Sequence, residues 1–292
     1  MDDGDLQIFL YKLLQLFLNT VKPIIRYSTQ FSFANEKWIE KRRRTNWWKR
    51  GQGKTIPAGT KSGKLPKSLE PGSGGLRKMI PLGVLFFCTS FNLTILANTK
   101  DALMITAPGA GVEAIPFLAT YGVLPASIGM MLLYSKIVSV LPSHLVYYAT
   151  CAPLLAFYLL FATVLFPNAG ALHPHAWAEA MALQVPVGLH GLVGIVRNWT
   201  YSLFFVAGEL WGGVMISLLF WSLANEVCSV NEAKGIYPVL GIAANVALVA
   251  SGNYLKFVNT LLADAPIGDT VNALIATVMV VSAVMAGAKW YL

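Results

Sequence analysis

From Met79 to Leu292 the chain alternates long apolar runs with short polar connections. The runs fall at about 79–97, 114–136, 144–167, 190–228, 237–257 and 271–291. Each reaches the roughly 20 residues needed to cross about 30 Å of hydrocarbon. Backbone groups in lipid must be satisfied internally, so runs of this length predict helices. The pattern therefore predicts an all-α polytopic membrane protein, a six-transmembrane-helix bundle over residues 79–292. The fourth run is anomalous. At 1.5 Å per residue its 39 residues would extend about 58 Å as one helix. It must tilt, project from the membrane, or break, and Gly212-Gly213 is the expected break. Division there would give seven spans and put the two ends of the body on opposite sides.

Composition agrees with a bilayer environment: 55% of the 292 residues are hydrophobic and 12% are charged, about half the charged share of a soluble domain. Charge is unevenly placed. Residues 1–78 hold 16 of the 22 Lys and Arg and 6 of the 14 Asp and Glu, which leaves +10 there and −2 in the remainder. A short apolar run near 6–20 contains Lys12 and predicts an interfacial or partner-bound helix, not a span. Lys41-Arg42-Arg43-Arg44, Trp47-Trp48 and a stretch rich in Gly, Lys, Pro and Ser follow it. That composition cannot bury a core; it predicts a solvated tail or an arm that orders on anionic lipid or neighbouring subunits. Nucleic acid is not an expected partner, since no recognition module accompanies the charge. The acidic opening Met1-Asp2-Asp3-Gly4-Asp5 is unlike an Arg-rich transit peptide.

Loop charge orients the spans. Lys136 precedes the 137–143 connection and Lys234 lies in 229–236, whereas 168–189 has no Lys or Arg. With the basic tail, this places both termini on the positive side: stroma, matrix or cytosol.

Polar residues inside spans are costly and face a bundle interior or a water-filled path. They concentrate on two runs. On the first, Cys88, Asn92 and Thr99 share a helical face that ends at Lys100 and Asp101. On the fourth, Asn198, Ser202, Glu209 and Gly213 repeat similarly, beside Arg197. Lining of a polar path competes with interhelical hydrogen bonding and solvated helix ends as explanations. Pro108-Gly109-Ala110-Gly111 is a tight turn or a backbone phosphate contact. His144, His173, His175 and His190 show no ligand spacing, and Cys88, Cys151 and Cys228 no pairing. No nucleophile–base arrangement is present in the sequence, so neither enzymatic catalysis nor a cofactor is expected.

Particular strings carry a resemblance. Thr94-Ile95-Leu96, Thr99-Lys100-Asp101 and Thr106-Ala107-Pro108-Gly109-Ala110-Gly111-Val112-Glu113-Ala114-Ile115-Pro116-Phe117 are followed by Glu209-Leu210-Trp211-Gly212 and Phe220-Trp221-Ser222-Leu223-Ala224-Asn225. Glu232-Ala233-Lys234, Gly241-Ile242-Ala243-Ala244-Asn245-Val246-Ala247-Leu248 and Ser251-Gly252 complete the series. In this order they resemble the N-terminal six-helix half of the plastid and intracellular-bacterial ATP/ADP translocases. The resemblance implies one half of a major-facilitator-like bundle and counter-exchange of ATP for ADP across an organelle membrane, with plastid the foremost candidate. It implies that Lys100 attracts phosphate charge and that Glu209 orders the path, with Arg197, Asn92 and Asn245 as further substrate-binding candidates. In such a family the substrate lies between two halves, so a homodimer, a separate second half, or a large membrane complex joined through residues 1–78 is expected. The family pattern has Arg-Asp where this chain has Ala97-Asn98, and often Arg where it has Asn253. The alternative implied by that lost charge is a non-transporting structural subunit of a large organelle membrane complex.

Overall fold

The computed structural model describes residues 74–292, and the expected basic tail and its helix near 6–20 lie outside them. Six helices long and apolar enough to span a bilayer are present. They are α1 (Gly74–Thr106), α2 (Ala114–Val140), α3 (Ser143–Leu165), α6 (Trp199–Val227), α7 (Val230–Leu261) and α8 (Ile267–Tyr291). Between α3 and α6 lie a single helical turn, Ala169–Leu172, and the short helices α4 (His175–Ala182) and α5 (His190–Arg197). The described residues contain no strand. The protein is an all-α polytopic membrane protein.

α1 is the central element, packed against α6, α7 and α8. Its inward residues Leu82, Leu85, Ile95 and Leu96 are fully buried among Phe204, Trp211, Phe220 and Val278. Aromatic pairs fix the helix faces, with Phe86 stacked on Phe220 at 4.2 Å and Phe161 against Phe204 at 4.3 Å. α2 is the opposite case. None of its most apolar stretch is buried, and Leu132, Val138 and Val140 point outward. Lipid tails solvate such residues as well as a protein core would, so burial does not drive α2 against the bundle.

Both ends of the bundle carry identifiable fastenings. At one end Lys78 on α1 donates to the Val227 carbonyl at 3.1 Å and pairs with Glu232 on α7 at 3.3 Å. Glu232 also closes a capping box with Ser229, which satisfies the free N–H groups opening α7. At the other end, Gly109 (φ 69°) and Gly111 (φ 74°) turn the chain between α1 and α2. This is the left-handed region that glycine enters without a Cβ penalty. α5 lies directly on that turn. A Cβ on Gly191 would stand 2.7 Å from the Glu113 carbonyl oxygen, and one on Gly194 would overlap the Gly109 carbonyl oxygen. The Pro108–Gly111 sequence is thus a packed turn covered by a helix.

Two expectations require correction. The long fourth run breaks at Asn198, where φ −110°, ψ 46° ends α5 and opens α6, not at Gly212-Gly213. Asn198 is fully buried there, its amide donating to the carbonyls of Pro108 (2.9 Å) and Gly194 (3.0 Å). The glycine pair instead begins a π-helical stretch, Gly212–Phe220, through which α6 continues. The seven-span alternative falls with that break. The first helix is also longer than 79–97, because neither Lys78 at its start nor Thr99-Lys100-Asp101 near its end interrupts backbone hydrogen bonding.

Candidate functional site

Lys100 lies on the face of α1 turned towards α6, one and a half turns before the helix ends. Its aliphatic stem runs over Gly208, where a Cβ would stand 3.0 Å from the lysine Cδ. Its ammonium sits 4.0 Å from the centre of the Phe205 ring, a cation–π arrangement. Two carboxylates complete the surroundings: Asp101 Oδ1 at 2.6 Å and Glu209 Oε1 at 2.9 Å. The lysine side chain is 6% exposed, while Asp101 and Glu209 are 46% and 43% exposed. An unpaired buried ammonium would be expensive, and the two carboxylates remove that cost. The cluster is therefore a buried cation with a half-open acidic mouth, carrying one positive and two negative charges.

The α6 stripe anticipated from spacing faces α1 at several levels. Asn198 bonds Pro108 in the turn after α1, the Ser202 hydroxyl lies 3.9 Å from Met104 Sδ, and Glu209 meets Lys100. Gly213 does not share this role; a Cβ there would meet nothing within 4 Å. Phe205 and Gly208 were missed. Their signal was the i, i+3, i+4 relation to Glu209, which puts all three beside the same lysine.

The remaining expected residues do not converge on Lys100. Asn92 is fully buried on the side of α1 facing α8. Its amide donates to Val278 O at 3.2 Å and Ser282 Oγ at 3.0 Å, with Met285 Sδ at 3.8 Å. Two turns separate it from Lys100, about 12 Å along the axis. Asn245 is exposed on α7 and donates to Gly241 O of its own helix at 2.8 Å. Arg197 closes α5, on the far side of the Asn198 break from Glu209. It pairs with Glu179 on α4 at 3.5 Å and donates to His175 Nδ1 at 3.3 Å.

Arg197 belongs to a separate cluster outside the spans. His173 Nε2 lies 2.7 Å from Thr200 Oγ1, and the His173 ring stands edge-on to Tyr201 at 5.0 Å. Burial, reinforced by neighbouring His175 and Arg197, holds the His173 imidazole below its ordinary pKa. No group of His, Cys, Asp and Glu suited to a metal ion occurs among the described residues.

The pairing of a lysine within Thr99-Lys100-Asp101 with the glutamate of Glu209-Leu210-Trp211-Gly212 unites two of the strings that carried the family resemblance. Residues 67–292 match the family profile described as TLC ATP/ADP transporter. The chain belongs to that family. TLC transporters are membrane carriers, not enzymes. Among relatives, ADP,ATP carrier protein 1 of Chlamydia pneumoniae is 41% identical over 236 residues, covering 79% of this chain and 46% of the relative. The plastidic ATP/ADP-transporter of Solanum tuberosum is 45% identical over 186 residues, 64% of this chain and 30% of the relative. ADP,ATP carrier protein 1, chloroplastic, of Arabidopsis thaliana is 44% identical over the same length, with the same shares. The chain thus spans less than half the length of these TLC carriers. No solved structure matches it.

Proposed function

We propose that this chain supplies one half of an ATP/ADP exchanger of an organelle membrane, that of a plastid, and that a second six-helix half completes the path. The observation carrying this reading is the Lys100–Glu209 pair, 2.9 Å apart across α1 and α6, with a buried cation behind a half-open mouth. A nucleotide polyphosphate offers the ammonium the same anionic oxygens that Asp101 and Glu209 now provide. In the empty state the carboxylates hold Lys100 extended against Phe205. On binding, phosphate replaces one or both, and the cation keeps a partner at every stage. A basic end bearing Lys78, Lys136, Lys234 and Lys289 faces the stroma, matrix or cytosol in this proposal.

The test is exchange in liposomes loaded with ADP, using the purified full chain alone and with its co-purifying partner. Uptake of external labelled ATP that depends on internal ADP is expected once two halves are present. Absence of uptake in both preparations overturns the reading.

One observation favours a second reading, that of a non-transporting structural subunit. The lysine is outnumbered by carboxylates, and Asn98 and Asn253, where the family pattern leads one to expect acidic and basic partners, only bond their own helix at 2.7 and 2.8 Å. This reading expects the chain inside a large membrane assembly, with residues 1–78 protected from protease. Rapid cleavage of those residues in the native assembly would overturn it.

A further inference from the structure

A groove of about 450 Å³ opens beside a different face of α1 from the Lys100 cluster, between the end of α1, the end of α7 and the start of α8. Its volume is in the range of sites that hold small ligands, about 300–1,000 Å³. Leu103, Leu255, Val271 and Leu274 make an apolar floor, and Asn98, Thr99, Thr106, Asn259 and Thr270 supply the polar lining. Among the described residues, no charged side chain lines it.

The polar groups on α1 have a common bias. Asn98 Nδ2 donates to Thr94 O at 2.7 Å, Thr99 Oγ1 to Ile95 O at 2.7 Å, and Thr106 Oγ1 to Ala102 O at 2.7 Å. Each gives one hydrogen to the helix backbone, while the Asn98 amide oxygen and both hydroxyl oxygens keep lone pairs; the second Asn98 N–H, the Asn259 amide and the Thr270 hydroxyl add donors. The groove therefore offers uncharged acceptors along about 12 Å of α1 and donors beside them. It suits an uncharged ligand whose groups both donate and accept. A phosphate brings acceptors only, together with negative charge that the exposed Asp264 and Asp269 on and beside the α7–α8 turn repel. Lys256, the basic residue on that part of α7, is exposed and outside the lining.

We infer that this groove is a lipid site for a diacylglycerol with an uncharged, hydroxyl-rich headgroup, a glycosyl diacylglycerol. Sugar hydroxyls donate to Asn98, Thr99 and Thr106, and an acyl chain lies on the leucine floor. The site uses a different face of α1 from the nucleotide reading, so failure of transport leaves it standing.

The experiment uses the full chain in phosphatidylcholine vesicles doped with photoactivatable diacylglycerols bearing a galactosyl, a phosphate or a phosphoethanolamine headgroup. Adducts are mapped by peptide mass spectrometry. The galactosyl lipid is expected to label peptides covering 98–106 and 255–274 at least threefold more than either other lipid. Asn98→Leu, at an exposed helical position, and the double variant Thr99→Val/Thr106→Val should reduce that labelling to the level of the others. If the double variant does not fold, Ala265→Trp at the groove mouth must lower the same adducts. Equal labelling by all three lipids, or a preference for phosphate, overturns the proposal. A preference for phosphoethanolamine also overturns it, since an ammonium would then be the recognised donor. Galactosyl adducts undiminished by Asn98→Leu and Ala265→Trp overturn it as well.

Discussion

Two buried polar groups on α1 invite comparison: Lys100 towards α6 and Asn92 towards α8. Asn92 is enclosed, its amide donating to α8 and its oxygen without a protein partner. Lys100 is equally buried, but its partners are two half-exposed carboxylates. The difference separates a fastening from a site. A group whose partners are all interior can only hold helices together, whereas a buried charge with exposed partners can exchange them for a ligand.

The largest expected effect tests that distinction directly. Lys100→Met leaves Asp101 and Glu209 facing the path without a cation and should weaken nucleotide binding at least tenfold, consistent with about 1.5–3 kcal/mol for a charge-assisted bond. Calorimetric titration of the reconstituted exchanger measures it; unchanged affinity would remove Lys100 from the site. Glu209→Gln relieves the excess negative charge, so binding should strengthen severalfold at low salt and less at high salt.

Next in size is Gly194→Ala, which drives a methyl into the backbone of the Gly109 turn and should cost about 1–3 kcal/mol. Thermal unfolding in detergent reads the loss. Asn92→Leu sharpens the comparison from the other side: about 1 kcal/mol of stability lost, with nucleotide affinity unchanged. Loss of affinity at intact stability would make Asn92 more than a fastening.

The smallest effect concerns the cluster outside the spans. Because His173 is held below its ordinary value, the unfolded chain binds the extra proton first. Its contribution is fully present above the unfolded pKa of about 6.5 and is lost as pH falls from there through the folded value. His173→Gln should flatten the acid side of a stability–pH profile below about pH 6.5.

Much of this was legible because hydropathy and bilayer thickness fix span number almost alone. The limits of α1 were less so: Lys78 and Lys100 depress hydropathy without stopping a helix. A break in the fourth run was sought at Gly212-Gly213 because glycine signals permission to bend, while the actual break depends on a side chain, Asn198, reaching a carbonyl 90 residues away. Spacing put Asn92 and Lys100 on the same helix, and four-residue periodicity could not say which neighbour each would meet. Phe205 and Gly208 were hidden for a related reason, since an apolar ring and a glycine acquire a role only beside a particular lysine.

The π-helical stretch from Gly212 to Phe220 has one more consequence. Each π-turn holds about one residue more than an α-turn, so α6 carries spare length in the half below Glu209. A one-residue deletion there could be absorbed by tightening to α geometry, leaving Trp221–Val227 in register with its neighbours. The same deletion between Asn198 and Glu209 has no such reserve and would swing every contact with α1 by about 100°. In α6, tolerance to changes of length and the geometry of the candidate site occupy separate halves of one helix.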